Sequence, residues 1–206
     1  MNSGLMREIL ALTAEHLWLV SISILIATAI ALPAGILLAR RARLRGWALG
    51  FTNIVQTIPS LALFGFLLPV PLIGGIGKRT AIVALILYAL LPILRNTTVG
   101  ILGVDEAVRD SALAMGMTSR QILWQVELPL AAPAIMAGVR IATVSTIATA
   151  TIAAAIGGGG LGTFIFRGIA MVDSRTVLAG AVPAAIIALI ADGGLGWFER
   201  KLSSWS

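Results

Sequence analysis

The chain has 206 residues, 58% of them hydrophobic and only 12% charged, with a mean hydropathy of +0.99. Soluble domains carry about 25% charged residues, so this composition excludes an ordinary soluble fold. The absence of cysteine excludes disulfides and thiol chemistry, and the formal net charge of +6 reads as basic cytoplasmic loops of a membrane protein, not as a nucleic-acid surface.

Met1 to His16 is a short polar lead with Arg7, Glu8 and Glu15. Leu17 to Ala39 is uncharged and exceeds the ~18 apolar residues a spanning helix needs. A cleaved signal peptide with Ala27-Thr28-Ala29 as its small-residue site is the weaker reading, since the apolar run outlasts a signal core and continues past that site. Arg40, Arg41, Arg43 and Arg45 follow as the densest positive cluster and read as a loop retained in the cytoplasm.

Trp47 to Leu68 is the second expected span, with Trp47 at the interface and Pro59 predicting a kink near Thr57-Ile58-Pro59-Ser60. Pro69, Pro71, Gly74, Gly75 and Gly77 make a turn before Lys78 and Arg79. The third span is expected over 81–101, which places Arg95 at a protein-lined mouth and not in lipid.

Residues 105–129 are amphipathic instead of apolar. Asp105 can cap a helix start, Gly116 can end that helix in the left-handed conformation, and Thr118 with Gln121 has the spacing of a capping box. Pro129 predicts an exit from helical geometry at Leu128. The segment therefore reads as a helix–turn–helix elbow on the membrane surface, although these local signals alone fit a surface loop with two helical turns equally well.

The fourth span, 134–156, is rich in Ala, Thr and Ser, which let helices approach closely. Gly157 to Gly160 break it, and a loop follows with a short re-entrant helix expected around Phe164–Ile169. The fifth span runs over 177–197, and Arg200 and Lys201 close the chain. With the elbow in the cytoplasm, nine basic residues fall inside (the four arginines of the first loop, Arg95, Arg109, Arg120, Arg200 and Lys201) against five outside (Arg7, Lys78, Arg79, Arg167 and Arg175), in moderate agreement with the positive-inside rule.

Two nucleotide-binding motifs fail. Gly75-Ile-Gly-Lys-Arg-Thr80 lacks the first glycine and the Ser/Thr of a phosphate loop, with Leu72 and Arg79 in those places. Gly157-x-Gly159-x-x-Gly162 follows a membrane helix, not a strand, so tight turning explains it better. His16 is the single histidine, which reads as interfacial and provides neither a metal set nor a catalytic triad. Asp192 is the one acid near a span interior, so the chain lacks the mid-membrane ionisable groups of ion-coupled transporters. Its energy source is expected to be another protein.

The elbow resembles the cytoplasmic loop of bacterial ATP-driven importer permeases, which carries Glu-Ala-Ala, three residues, Gly, nine residues, then Ile-x-Leu-Pro. Asp110-Ser111-Ala112, Gly116 and Val126-Glu127-Leu128-Pro129 fit that spacing without gaps, with Asp, Ser and Val replacing Glu, Ala and Ile. Beyond the elbow, Gln56–Leu63, Leu87–Asn96, Met115–Thr118, Ile135–Arg140 and Ile156–Gly162 are similar to permease subunits of osmoprotectant importers, a family that handles glycine betaine, choline, carnitine and related quaternary ammonium solutes.

The resemblance implies an all-α, polytopic bacterial inner-membrane permease of the type I kind, with residues 1–206 as one transmembrane domain of about five helices and 105–129 as its coupling loop. It implies two cytoplasmic ATPases, a second permease copy or paralogue and an extracytoplasmic substrate-binding protein, separate here because the chain stops at Ser206. The permease itself is then non-catalytic and needs no cofactor, ATP being bound by its partners. Asp110, Ser111, Ala112, Gly116 and Met117 are expected to seat the elbow on the ATPases, and Leu128 and Pro129 to set its exit angle. Thr143, Ser145, Thr146, Thr149 and Pro59 are expected along the translocation path, while Arg95 and Arg140 would discourage a cation from lingering. Quaternary ammonium ions are recognised by aromatic faces, and with one Tyr, five Trp and six Phe a high-affinity cage inside the permease is not expected. Another small solute, such as an amino acid or another betaine, and a self-powered secondary transporter are the alternative readings.

Overall fold

The structure is a computed structural model and describes residues 3–203. The described residues form helices without strands: α1 (Ser3–Arg40), α2 (Ala42–Thr57), α3 (Ser60–Leu67), α4 (Lys78–Leu102), α5 (Glu106–Ala114), α6 (Ser119–Ile122), α7 (Leu128–Ile152), α8 (Gly162–Ala170) and α9 (Ser174–Ser203). A helix satisfies its own backbone hydrogen bonds, which is what apolar segments need where water is absent. Four helices are long and apolar enough to cross a membrane: α1, α4, α9, and one that runs from Ser119 to Ile156 through α7. The pair α2 and α3 qualifies only when taken together, and it is bent by 102°.

That bend is the expected break at Pro59. Ile58 and Pro59 are extended, with ψ of 125° and 137°, because proline disfavours helical geometry in the residue before it and lacks the N–H needed to continue. Tyr88 of α4 donates its hydroxyl hydrogen bond to the Ile58 carbonyl, and the Gln56 side-chain amide donates to the Tyr88 carbonyl at 3.1 Å, so α4 holds the break.

Several boundaries differ from the sequence reading. The lead before Leu17 is helical from Ser3, while Met1 and Asn2 lie outside the described residues. The basic stretch 40–45 is not a loop: Arg40 ends α1, Arg41 alone separates the helices, and Arg43 and Arg45 sit in α2. Arginine is a good helix former, so charge alone does not break the chain.

The core lies where α1, α4 and α7 meet. Leu19 of α1, Leu85 of α4 and Ile147 of α7 belong to one buried cluster, and Ala27, Ile93 and Ala142 to a second. Glycines allow the helices to close. A Cβ added at Gly35 would stand 2.7 Å from the Thr97 Cβ, one at Gly138 2.7 Å from the Asn96 Cβ, and one at Gly100 2.9 Å from the Ala134 Cβ. In membranes, where apolar burial gives no net drive between helices, such close approach is how helices associate.

Ion pairs lie at both ends of the bundle and, between Arg140 and Asp192, along it. At one end Glu8 accepts from Arg167 at 2.8 Å, and Glu15 pairs with Lys78 and accepts from the Gly160 N–H at 2.8 Å. Gly157, Gly159 and Gly160 have φ near +75° to +81°, which ends α7 in a left-handed turn against α1. His16 is fully buried under this turn, where a Cβ at Gly160 would meet its Nδ1 at 3.1 Å. The expected interfacial histidine is thus a core residue, because the returning glycine turn covers it.

Candidate functional site

The elbow lies at the opposite end of the bundle and is built by local chemistry. Asp105 Oδ1 accepts from the Ala107 N–H at 2.9 Å and caps α5. Gly116 closes that helix with φ +79°: its N–H donates to the Leu113 carbonyl at 2.9 Å and the Met117 N–H to the Ala112 carbonyl at 3.1 Å. These two bonds form a Schellman motif, which satisfies the last carbonyls of the helix. Thr118 then starts α6 with a complete capping box, its Oγ1 accepting from the Gln121 N–H at 3.4 Å and its N–H donating to Gln121 Oε1 at 2.8 Å.

The far side of the elbow differs from expectation. Leu128 and Pro129 do not leave helical geometry: Leu128 has φ −64° and ψ −44°, and the chain continues from α6 through a π-helical turn (Leu123–Glu127) into α7. The Leu128 N–H reaches back to the Leu123 carbonyl, five residues away. The helix therefore carries Pro129 as it carries Pro33, Pro92, Pro133 and Pro183, with the π-helical turn just before it.

The elbow is mostly uncovered. Asp110, Ser111 and Gly116 are exposed, Met117 is half-buried, and Ala112 alone of the five expected seating residues is buried. The Ser111 hydroxyl donates to the Ala107 carbonyl at 2.8 Å, while Asp110 has no ion pair among the described residues. Apolar side chains stand out beside them, Met115 at 74% and Trp124 at 62% exposure. Singly exposed apolar residues need no explanation, but several on one capped elbow mark an interaction surface.

What fixes this surface to the bundle is a residue the sequence reading passed over. Glu127, in the π-helical turn, is 0% exposed. Its Oε1 accepts from Arg109 Nε at 2.9 Å, and its Oε2 accepts from Arg40 Nη2. Arg109 also donates to the Ile101 carbonyl at the end of α4. The one available sequence signal was an acid at the variable position of the Leu-Pro motif, flanked by Val126 and Leu128.

The expected path residues differ in burial. Thr146 is buried, Thr143 and Thr149 are half-buried, Ser145 is exposed, and Pro59 is exposed at the start of α3. Thr143 is satisfied by donating to the Val139 carbonyl at 2.8 Å. Ser145 lines a cavity of about 320 Å³ together with Ala137, Arg140, Ile141, Val144, Asp192 and Glu199.

Arg140 is not a bare cation there. Its Nε and Nη2 donate to the two carboxylate oxygens of Asp192 at 2.7 and 2.9 Å, and its Nη1 donates to Glu199 at 3.1 Å. Two carboxylates on one guanidinium leave the group with a formal charge of −1, so Arg140 presents no net positive field to a solute. Arg95 is exposed on α4 and unpaired among the described residues.

A bundle of long apolar helices, one of them broken, with an uncovered and rigidly capped elbow at one end, defines a multi-pass membrane protein of the type I importer permease fold. The chain belongs to the binding-protein-dependent transport system inner membrane component family, whose model matches residues 31–204. It is 45% identical over 196 residues to the glycine betaine/carnitine/choline transport system permease protein OpuCB of Bacillus subtilis, covering 95% of this chain and 89% of that one. The osmoprotectant import permease protein OsmW of Salmonella typhimurium is 41% identical over 203 residues, covering 98% and 91%. Among solved structures, an inward-facing conformation of the MetNI methionine ABC transporter superposes with a TM-score of 0.87 over 98% of this chain and 99% of that one, at 24% identity, which speaks to fold alone.

Proposed function

We propose that this chain is the permease subunit of an ATP-driven importer that carries a quaternary ammonium osmoprotectant, such as glycine betaine, choline or carnitine, across the bacterial inner membrane. The single observation behind the mechanism is the elbow: capped at both junctions, anchored at its base and uncovered on its outer side. Relatives above 40% identity, one named for glycine betaine, carnitine and choline and one for osmoprotectant import, support the substrate class.

Hydrolysis belongs to two cytoplasmic ATPases, and the permease contributes no catalytic residue or cofactor. Closure of the ATPases pushes on Asp110, Ser111, Ala112, Gly116 and Met117; Leu128 and Pro129, inside a continuous helix, pass the push to α7 without a flexible joint. A second permease copy or paralogue completes the path, which runs past α7 and its Thr143, Ser145, Thr146 and Thr149, with Pro59 at the hinge of α2 and α3. Selection of the solute falls to an extracytoplasmic binding protein. Arg140, already neutralised by Asp192 and Glu199, does not repel a cationic solute on this path.

The test is reconstitution in liposomes with candidate ATPase and binding-protein subunits from the same genome. Radiolabelled glycine betaine, choline and carnitine should accumulate only with ATP and binding protein present. Uptake by the chain alone would instead indicate a self-powered transporter, and uptake of an amino acid in place of the betaines would overturn the substrate class.

A further inference from the structure

We infer that Glu127 is a positioning residue that locks the elbow end of α1 to the elbow, so that α1 moves with α4 and α7 as one lever. This rests on the elbow being the site where the ATPases push.

The elbow's local structure is complete without Glu127. Asp105 caps α5, Gly116 closes it, and Thr118 with Gln121 starts α6. What Glu127 adds is a junction. Its carboxylate takes one guanidinium from Arg40, in the last turn of α1, and one from Arg109 in α5, while Arg109 holds the Ile101 carbonyl at the end of α4. Glu127 itself stands at the entry to α7. One buried carboxylate thus joins four elements, among them a helix 87 residues away in sequence.

A carboxylate removed from water holds its place only with its partners. The elbow therefore cannot shift relative to α1 without uncovering that charge. Immediately beyond the junction the same three helices touch backbone to side chain, at Gly35 with Thr97, Gly138 with Asn96 and Gly100 with Ala134. Surfaces packed so closely repack between discrete arrangements and do not deform smoothly. A displacement applied to the elbow is accordingly delivered to α1 as well as to α4 and α7. Without the junction, the last turn of α1, beyond the Gly35 contact, would lose its tie to the elbow.

The experiment uses the complete importer in liposomes and reads solute accumulated per ATP hydrolysed. Glu127→Gln keeps the shape and removes the charge. Arg40→Gln removes the α1 partner, whose side chain is 47% exposed, so that change leaves no buried hole. Both variants should co-purify with the ATPase and continue to hydrolyse ATP, while uptake per ATP falls at least about fivefold, the lower end of typical coupling free energies. Arg40→Gln should add nothing in the Glu127→Gln background. A wild-type ratio in Arg40→Gln, or effects that multiply in the double variant, would overturn the inference. Should Glu127→Gln fail to assemble, Arg40→Gln alone decides. Cross-linking of a Met115→Cys variant to the ATPase tests the elbow separately: with cross-links and a wild-type ratio only the role of Glu127 is wrong, and without cross-links the elbow reading falls with it.

Discussion

Gly35 of α1 approaches Thr97 of α4 so closely that a methyl group at position 35 would stand 2.7 Å from the Thr97 Cβ and 2.8 Å from its Cγ2. The Thr98 hydroxyl of the same α4 turn donates to the Leu94 carbonyl of its own helix at 2.8 Å and also lies 3.3 Å from the Gly35 carbonyl, a longer, shared contact between the two helices. Thr97 is fully buried and β-branched, so it has little room to turn away. Gly35→Ala should therefore separate α1 from α4 and cost about 1–3 kcal/mol, the usual range for overpacking. Thermal unfolding of the purified importer in detergent checks this; an unchanged midpoint would mean that the two helices are not held at this distance.

Gly116 presents the opposite case. A Cβ there would meet nothing within 4 Å, but its φ of +79° is left-handed. The cost of a substitution is then conformational, about 1–2 kcal/mol, and falls on the elbow alone. Gly116→Asp should assemble in the membrane yet uncouple uptake from hydrolysis, and Gly116→Asn, which tolerates this conformation without added charge, should do so less. Normal uptake by Gly116→Asp would refute the elbow's role.

Arg140 joins α7 to α9 through Asp192 and Glu199. Removing the cation leaves two neighbouring carboxylates that repel, whereas removing all three charges leaves neutral groups. Arg140→Gln should therefore lower the unfolding temperature more than the triple change Arg140→Gln, Asp192→Asn, Glu199→Gln. The reverse order would mean that the network contributes by attraction alone.

Asp173 starts α9 from outside it. Its carboxylate is held below the ordinary value of 3.8 by the Thr176 hydroxyl, which donates to it at 2.6 Å, and then by the Arg175 N–H at 3.0 Å. A carboxylate with a lowered folded value contributes stability above its unfolded value and loses it as pH falls through the folded one. Amide exchange at the start of α9, corrected for intrinsic rates, should be unchanged from about pH 7 to pH 5 and quicken below about pH 4. Asp173→Asn should retain the cap, since asparagine also caps, and remove the pH dependence.

The caps of the elbow were legible because each is made by residues a few positions apart. Asp105 with Ala107, Gly116 with Leu113, and Thr118 with Gln121 are all local in the chain, and their spacing carries the geometry. The break at Pro59 was legible for the same reason. Pro129 misled, because a proline does not by itself end an apolar helix: Pro33, Pro92, Pro133 and Pro183 also lie inside helices, and at Pro129 the chain continues through a π-helical turn.

By itself the sequence determined the helices and their apolar character, since uncharged runs of this length must satisfy their backbone internally. It also determined where the elbow begins and turns. Only the tertiary structure decided which charges meet. Arg40 with Glu127 and Arg140 with Asp192 lie 87 and 52 residues apart. It decided too that His16 is buried beneath the turn at Gly160. No periodicity records such pairings, because hydropathy says how deep a residue lies along its own helix and nothing about which neighbour faces it.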